Sequence, residues 1–379
     1  MRPTFFIIAG EVSGDKHAAD LVKSLHALLP EARFTGIGGE YMQQAGVQLL
    51  YHISQFAVLG ITEIIRHLPF LRRVLGKVKS VLRREADAVI LIDYPGFNLR
   101  VAKLAKQMGL PVIYYICPQL WAWGGKRVEK IRKYVDLPLV IFHFEELFYR
   151  RHGIHARFVG HPIVEQLYVE ESEAAFREKH HLPAETRIVG LFPGSRQMEV
   201  DKLLPVMLDS VQRLRESIEC IPVIGAASHL PLEIYEKHLP REGYYHLIQS
   251  DIHALMKYSY AALVASGTAT LELGFLETPM VVMYAVSPIT YWMGRALIKI
   301  DTIALANIVL QGRVVPELIQ HEMKAENVYH ELLKYFTDRE YYRAVQTQLT
   351  RIKEELGNPG ASRRAAESIV HFLQGMKIS

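Results

Sequence analysis

The sequence predicts an α/β protein of two doubly wound, parallel-sheet units facing each other across a cleft. Three observations predict it. Short β-rich apolar runs alternate with longer helical patterns almost from end to end, as in a parallel sheet with helices on both faces. That rhythm pauses once, at the charged stretch VEESEAAFREKHH near residue 170, and then resumes. The length, 379 residues, exceeds one comfortable core, since ~150 residues per domain suggests two. The expected boundaries are residues 1–170 and 171–354.

The first unit opens with MRPTFFIIAGE, whose single Arg and short apolar run read as a strand and not as a signal-peptide core. ARFTGIGG, DAVILID, PVIYYI, LPLVIF and ARFVG are its further strand candidates, with helical patterns such as Asp15 to Leu29 and Leu99 to Met108 between them. RHLPFLRRVLGKVKSVLRR (66–84) is amphipathic: Leu68, Leu71, Leu75, Val78 and Leu82 recur on one helical face, and Arg66, Arg72, Arg73, Lys77, Lys79, Arg83 and Arg84 fill most of the rest. Such a helix suits a lipid surface, but on this segment alone the commoner reading is an ordinary surface helix over a core. In the second unit RIVGLFPGSR, CIPVIGAAS, YYHLIQS, AALVASG and PMVVMYAV read as strands, and the last ~50 residues carry helical patterns only.

Half of the residues are hydrophobic, yet no run approaches the ~18 residues of a spanning helix. Two cysteines, Cys117 and Cys220, exclude a disulfide framework and a Cys-based zinc site and suit a reducing cytoplasm. The formal charge of +4 arises from a local basic excess and gives no reason to expect nucleic acid. Seventeen His show no metal-ligand spacing, and no D-x-D pair occurs.

Ligands of open parallel sheets lie at the carboxyl ends of strands, so the loops there carry the chemistry. LFPGSR offers Gly194 for close backbone approach, Ser195 as a hydroxyl donor and Arg196 as a fixed positive fork, all phosphate-binding groups. VASGTATLELG passes through Ser266 and Gly267 into a helix beginning near Thr268, whose free N–H groups suit a diphosphate; Glu272, one turn on, is placed to accept from ribose hydroxyls. In AGEVSGD, Gly10 and Gly14 give freedom to a strand-to-helix turn, and Glu11, Ser13 and His17 complete its candidate substrate-binding set. Neither this stretch nor GIGGEY is a dinucleotide fingerprint, and GGKR is not a phosphate-binding Walker motif. ILIDYPGFN places Asp93 at a strand end, where it is a candidate general base or a plain loop acid. CPQLWAWGGKR adds Trp121 and Trp123, a wall for a sugar or lipid or else packing.

In order along the chain, AGEVSGD, IDYPGFN, PQLWAWGGKR, GHP (160–162), FPGSR, ASGTATLE and AN...VVPELIQ (306–320) resemble the lipid-A-disaccharide synthase family from end to end. The resemblance implies the GT-B fold, two Rossmann-like domains, with C-terminal helices 355–379 completing the first. It implies a metal-independent inverting glycosyltransferase with no cofactor. The enzyme would join UDP-2,3-diacylglucosamine to 2,3-diacylglucosamine 1-phosphate (lipid X), forming a β1→6 disaccharide 1-phosphate and UDP. Asp93, Arg196 and Asn307 match the family's functional acid, Arg and Asn, with Glu11 and His17 as alternative bases. The basic stretch 66–84 matches its membrane-docking region, which favours the lipid reading of Leu68, Leu71, Leu75, Val78 and Leu82. The implied setting is the cytoplasmic face of the inner membrane, peripherally bound, as a homodimer. Competing readings are a UDP-N-acetylglucosamine epimerase, a transferase acting on lipid-linked peptidoglycan precursor and a nonenzymatic nucleotide-sugar sensor. Three positions depart from the family pattern: Ala306 where Pro is frequent, Ala285 where a base is frequent, and Tyr94 with Gly96 after the acid.

Overall fold

The computed structural model describes residues 2–55, 68–123, 127–240, 245–285 and 302–376. The chain divides into one unit of Met1–Pro162 with Leu356–Ser379 and another of Ile163–Glu355. The first contains β1 (Thr4–Ala9), α1 (Val12–Leu28), β2 (Arg33–Gly38), α2 (Glu40–Gln44), β3 (Gln48–His52), α3 (Leu68–Glu85), β4 (Ala88–Ile92), α4 (Pro95–Gln107), β5 (Val112–Tyr115), α5 (Leu120–Trp123), α6 (Val128–Tyr134), β6 (Leu137–Val140), α7 (His143–Arg151) and β7 (Arg157–Phe158). The second contains α8 (Glu173–Lys179), β8 (Arg187–Phe192), α9 (Gln197–Arg215), β9 (Cys220–Gly225), α10 (Glu233–Glu236), β10 (His246–Ile248), α11 (Ile252–Tyr258), β11 (Ala261–Ala265), α12 (Thr268–Phe275), β12 (Met280–Tyr284), α13 (Leu305–Val309), β13 (Glu317–Ile319), α14 (Ala325–Thr337) and α15 (Arg339–Leu356). The last helix, α16 (Ala361–Met376), packs on α1 of the first unit.

Both sheets are parallel, in the orders β3-β2-β1-β4-β5-β6-β7 and β10-β9-β8-β11-β12-β13. Their central strands are continuous apolar runs because both faces are covered: every residue of β4 (AVILI) and of β11 (AALVA) is buried. In each sheet the chain moves outward from the first strand, returns to the middle and proceeds the other way. The direction reverses between β1 and β4, and again between β8 and β11.

The structure corrects the lipid reading of α3. Val78 and Leu82 are 0% and 1% exposed and, with Val74, belong to the core that also holds Val89, Leu91 and Val101. Leu71 and Leu75 are half-buried against the same core, and Phe70 meets Tyr51 edge to face. Val78 and Leu82, already covered, cannot enter a bilayer. The side chain of Leu68 lies outside the described residues. Arg72, Arg73, Lys77, Lys79, Arg83 and Arg84 are exposed, and none joins an ion pair among the described residues.

Candidate active site

At the first reversal, the loops after β1 and β4 leave from neighbouring strand ends, since Ala9 pairs with Ile92. Asp93 and Tyr94 both adopt left-handed backbone, with φ of 44° and 47°, before Pro95 opens α4. Two successive L-residues in that region cost roughly 1–3 kcal/mol each, so the turn must be held from outside. It is: the Asp93 carbonyl accepts from Asn98 Nδ2 at 2.8 Å and from the Tyr114 hydroxyl at 2.6 Å. Asn98, fully buried, also donates to the Ile92 carbonyl at 3.1 Å. The half-buried Asp93 carboxyl is raised above the ordinary carboxylate range, first by burial and then by the charge of Glu11, while the Tyr94 N–H acts the other way.

Around it, Glu11 and Ser13 are exposed and Gly14 is buried. Gly10 is sterically required, because a β-carbon there would lie 2.3 Å from Tyr94 Cγ. Burial lowers the proton affinity of His17, with Asp20 opposing, and its Nδ1 has no hydrogen-bond partner among the described residues. His161 is pushed down to about 3 by burial, reinforced by His17. Trp121 is turned into the packing: its indole N–H donates to Glu145 Oε1 at 3.1 Å and its ring meets Phe144 edge to face. The side chain of Trp123 lies outside the described residues.

At the second reversal, the loops after β8 and β11 again start side by side, with Val264 paired to Phe192. Ser195 and Arg196 are exposed. Their N–H groups donate to Glu199 Oε2 at 3.1 and 3.2 Å, so these two backbone donors are already occupied, while the Ser195 and Arg196 side chains stay exposed. Arg196 makes one loose, 3.4 Å contact to Glu199. Gly194, at φ 111°, leaves room for that carboxylate, which a β-carbon would approach to 2.4 Å. His229 donates from Nε2 to the Ser195 carbonyl at 2.8 Å. Beside this loop α12 begins at Thr268, and the N–H groups of Thr268 and Ala269 precede the first intrahelical bond. Gly267 has open space where a side chain would stand. Glu272, largely covered, lies 3.7 Å from His253 Nε2.

A small-residue helix N-terminus with an exposed Arg near it has the groups to receive an anion, and a carboxyl whose proton affinity is raised at a strand end has the chemistry to accept a proton. Over residues 5–371 the chain matches the family described as lipid-A-disaccharide synthetase. It is 40% identical over 370 residues to the lipid-A-disaccharide synthase of Geobacter metallireducens, covering 97% of this chain and 96% of that one. This chain belongs to the lipid-A-disaccharide synthase family. The same enzyme of Myxococcus xanthus is 39% identical over 374 residues, 98% of each chain. A lipid-A-disaccharide synthase is a glycosyltransferase, and this family member acts in lipid A disaccharide synthesis. Solved structures similar in fold alone include a putative UDP-N-acetylglucosamine 2-epimerase from Listeria monocytogenes (TM-score 0.65, 14% identity, 99% of this chain and 98% of that one). The calicheamicin glycosyltransferase (0.63, 14%, 99% and 98%) and MurG of Acinetobacter baumannii (0.61, 10%, 98% and 100%) are two more. These place the lipid-A-disaccharide synthase chain in the GT-B architecture.

Within this family member, one residue assigned from the sequence has its side chain fully engaged. Asn307 is fully buried and its amide is saturated: Nδ2 donates to the Val315 carbonyl and to Glu317 Oε1, both at 2.8 Å, and Oδ1 accepts from the N–H groups of Val314 and Val315. No polar atom of its side chain is left for substrate. Sequence reasoning passed over Asn98, Tyr114, Glu145 and Glu199. Glu199, three residues after Arg196 at a helix start, was legible as a capping acid. Among the described residues no group of His, Cys, Asp and Glu is arranged to hold a metal ion, and no helix is long and apolar enough to cross a membrane.

Proposed function

We propose that this lipid-A-disaccharide synthase transfers the diacylglucosaminyl group of UDP-2,3-diacylglucosamine to the 6-hydroxyl of 2,3-diacylglucosamine 1-phosphate in one inverting displacement. The O6–C1 bond forms as the C1–O bond to the diphosphate breaks, and the electron pair of that bond leaves with UDP. The hydroxyl proton passes to the Asp93 carboxylate. The observation that carries this reading is Asp93 itself: a carboxyl held in a strained turn at the β1/β4 reversal, with its proton affinity raised by burial and by Glu11.

The two units divide the work. The first, about residues 1–170 with the C-terminal helices, takes the acceptor; the second, about 171–354, takes the donor. In the second, the α12 N-terminus, Ser195 and Arg196 receive the diphosphate without a metal ion, and Glu272 faces the ribose. Membrane contact, at the cytoplasmic face of the inner membrane, runs through the cations of α3, which attract anionic headgroups, and not through its apolar stripe. The working form is a homodimer.

Incubation of the purified chain with both substrates, read by product mass, tests the reading. A disaccharide 1-phosphate with four acyl chains and stoichiometric UDP is expected. Its absence, or conversion of UDP-N-acetylglucosamine to an epimer, overturns it.

A further inference from the structure

Glu317 opens β13, in a motif that the site described above leaves unused, and its carboxylate accepts three hydrogen bonds. Oε2 takes the Ile303 N–H at 2.8 Å. Oε1 takes the Ala304 N–H at 3.0 Å and Asn307 Nδ2 at 2.8 Å. Segment 303–307 is thereby tied to the sheet at its two ends. From the other side, Ser266, the residue before Gly267 and the start of α12, donates its hydroxyl to the Ile303 carbonyl at 3.2 Å. Ala306 packs 3.6 Å from the β-carbon position of Gly274 on the same helix. One carboxylate therefore sets the peptide on which Ser266 rests.

We infer that Glu317 is a positioning residue for the donor: it fixes segment 303–307 against Ser266 and so holds the diphosphate-binding end of α12 in its binding geometry. Asn307 is the second member of the same device, since its saturated amide transmits position and contacts no ligand. The inference rests on the reading of α12 as the diphosphate site. Glu317→Gln keeps the shape but turns one oxygen into an N–H₂ group facing donors, so that either the Ile303 N–H or the Ala304 N–H with the Asn307 amide loses its acceptor and must move.

The test compares wild type, Glu317→Gln, Asn307→Ala and the double variant by calorimetric UDP binding and by steady-state kinetics, each below its own melting transition. Glu317→Gln should weaken UDP binding and raise donor KM at least about tenfold, the effect of one or two lost charged hydrogen bonds, while acceptor KM stays unchanged. The double variant should lose little more than the worse single one, because both act through one segment. General destabilisation would lower the active fraction, hence kcat, without moving donor KM alone. Unchanged UDP affinity and donor KM in Glu317→Gln, or additive losses, overturn the inference. Failure of the wild-type chain to bind UDP at all overturns the reading of α12 instead.

Discussion

The ring of Tyr94 lies directly over Gly10, so that a β-carbon at residue 10 would stand 2.3 Å from Tyr94 Cγ. Through this contact the first loop of the chain supports the left-handed turn that presents Asp93, which is three strands further on in sequence order but next door in the sheet. Gly10→Ala should therefore displace Tyr94 and with it Asp93. Turnover should fall about 10²-fold or more, the scale of losing a positioned base, with the melting temperature lowered by only a few degrees. Turnover should recover in part when Tyr94→Ala is added to make room. Wild-type turnover in Gly10→Ala would show that the turn tolerates the shift.

Asp93→Asn should lower turnover by about 10²- to 10⁴-fold with UDP binding retained, because the amide keeps the shape and cannot take a proton. The wild-type rate should fall as pH drops through the Asp93 pKa, which burial and Glu11 place above the usual carboxylate range. That acid limb should vanish in Asp93→Asn. If it persists there and disappears in Glu11→Gln or His17→Ala, the base lies in the neighbouring loop.

Arg196→Ala should weaken UDP binding, with the loss shrinking in high salt, because the exposed guanidinium meets the diphosphate through solvent-screened charge. Transfer should continue in excess EDTA. A requirement for added divalent cation, measured by turnover after chelation and replacement, would contradict the assignment of the diphosphate to α12 and Arg196 alone.

Two substitutions on α3 should separate its two faces. Val78→Ser removes a fully buried side chain worth roughly 1.5–3 kcal/mol and buries a hydroxyl, so it should depress the melting temperature clearly. Arg72, Arg73 and Lys77 changed together to Glu should leave melting within a few degrees and reduce sedimentation with anionic vesicles. Retained vesicle binding in the charge-reversed protein would move the docking surface elsewhere.

Glu145 gives a pH-dependent stability. Burial raises its carboxyl to about 7, with the bonds from Trp121, Phe142 and Ile141 opposing. The folded chain therefore holds this proton more tightly than the unfolded one, and the contribution is complete below the unfolded value near 4.5 and is lost as pH rises through about 7. Relative to Glu145→Gln, wild type should lose stability from pH 4.5 to 7, with a slope of at most about 1.4 kcal/mol per unit. Parallel denaturation curves for the two proteins across that window would show that Glu145 is ionised throughout.

Alternating apolar runs and helical patterns were enough to determine two parallel α/β sheets, because strands covered on both faces, such as AVILI and AALVA, must be apolar throughout. The order of motifs along the chain was enough for the family. Two edge strands, QLLYH and ELI, escaped, since short half-exposed strands carry no continuous apolar run. What only the tertiary structure decided concerns partners distant in sequence. A helical stripe has the same period whether a sheet or a lipid lies under it, so the burial of Val78 and Leu82 could be known only from the packing of α3 on its sheet. That Asp93 is clamped by Asn98 and Tyr114, that Gly10 serves Tyr94, and that Asn307 spends its whole amide on its own loop follow from strand order and loop closure. Sequence names the groups; only the folded chain shows which of their hydrogen bonds are already taken.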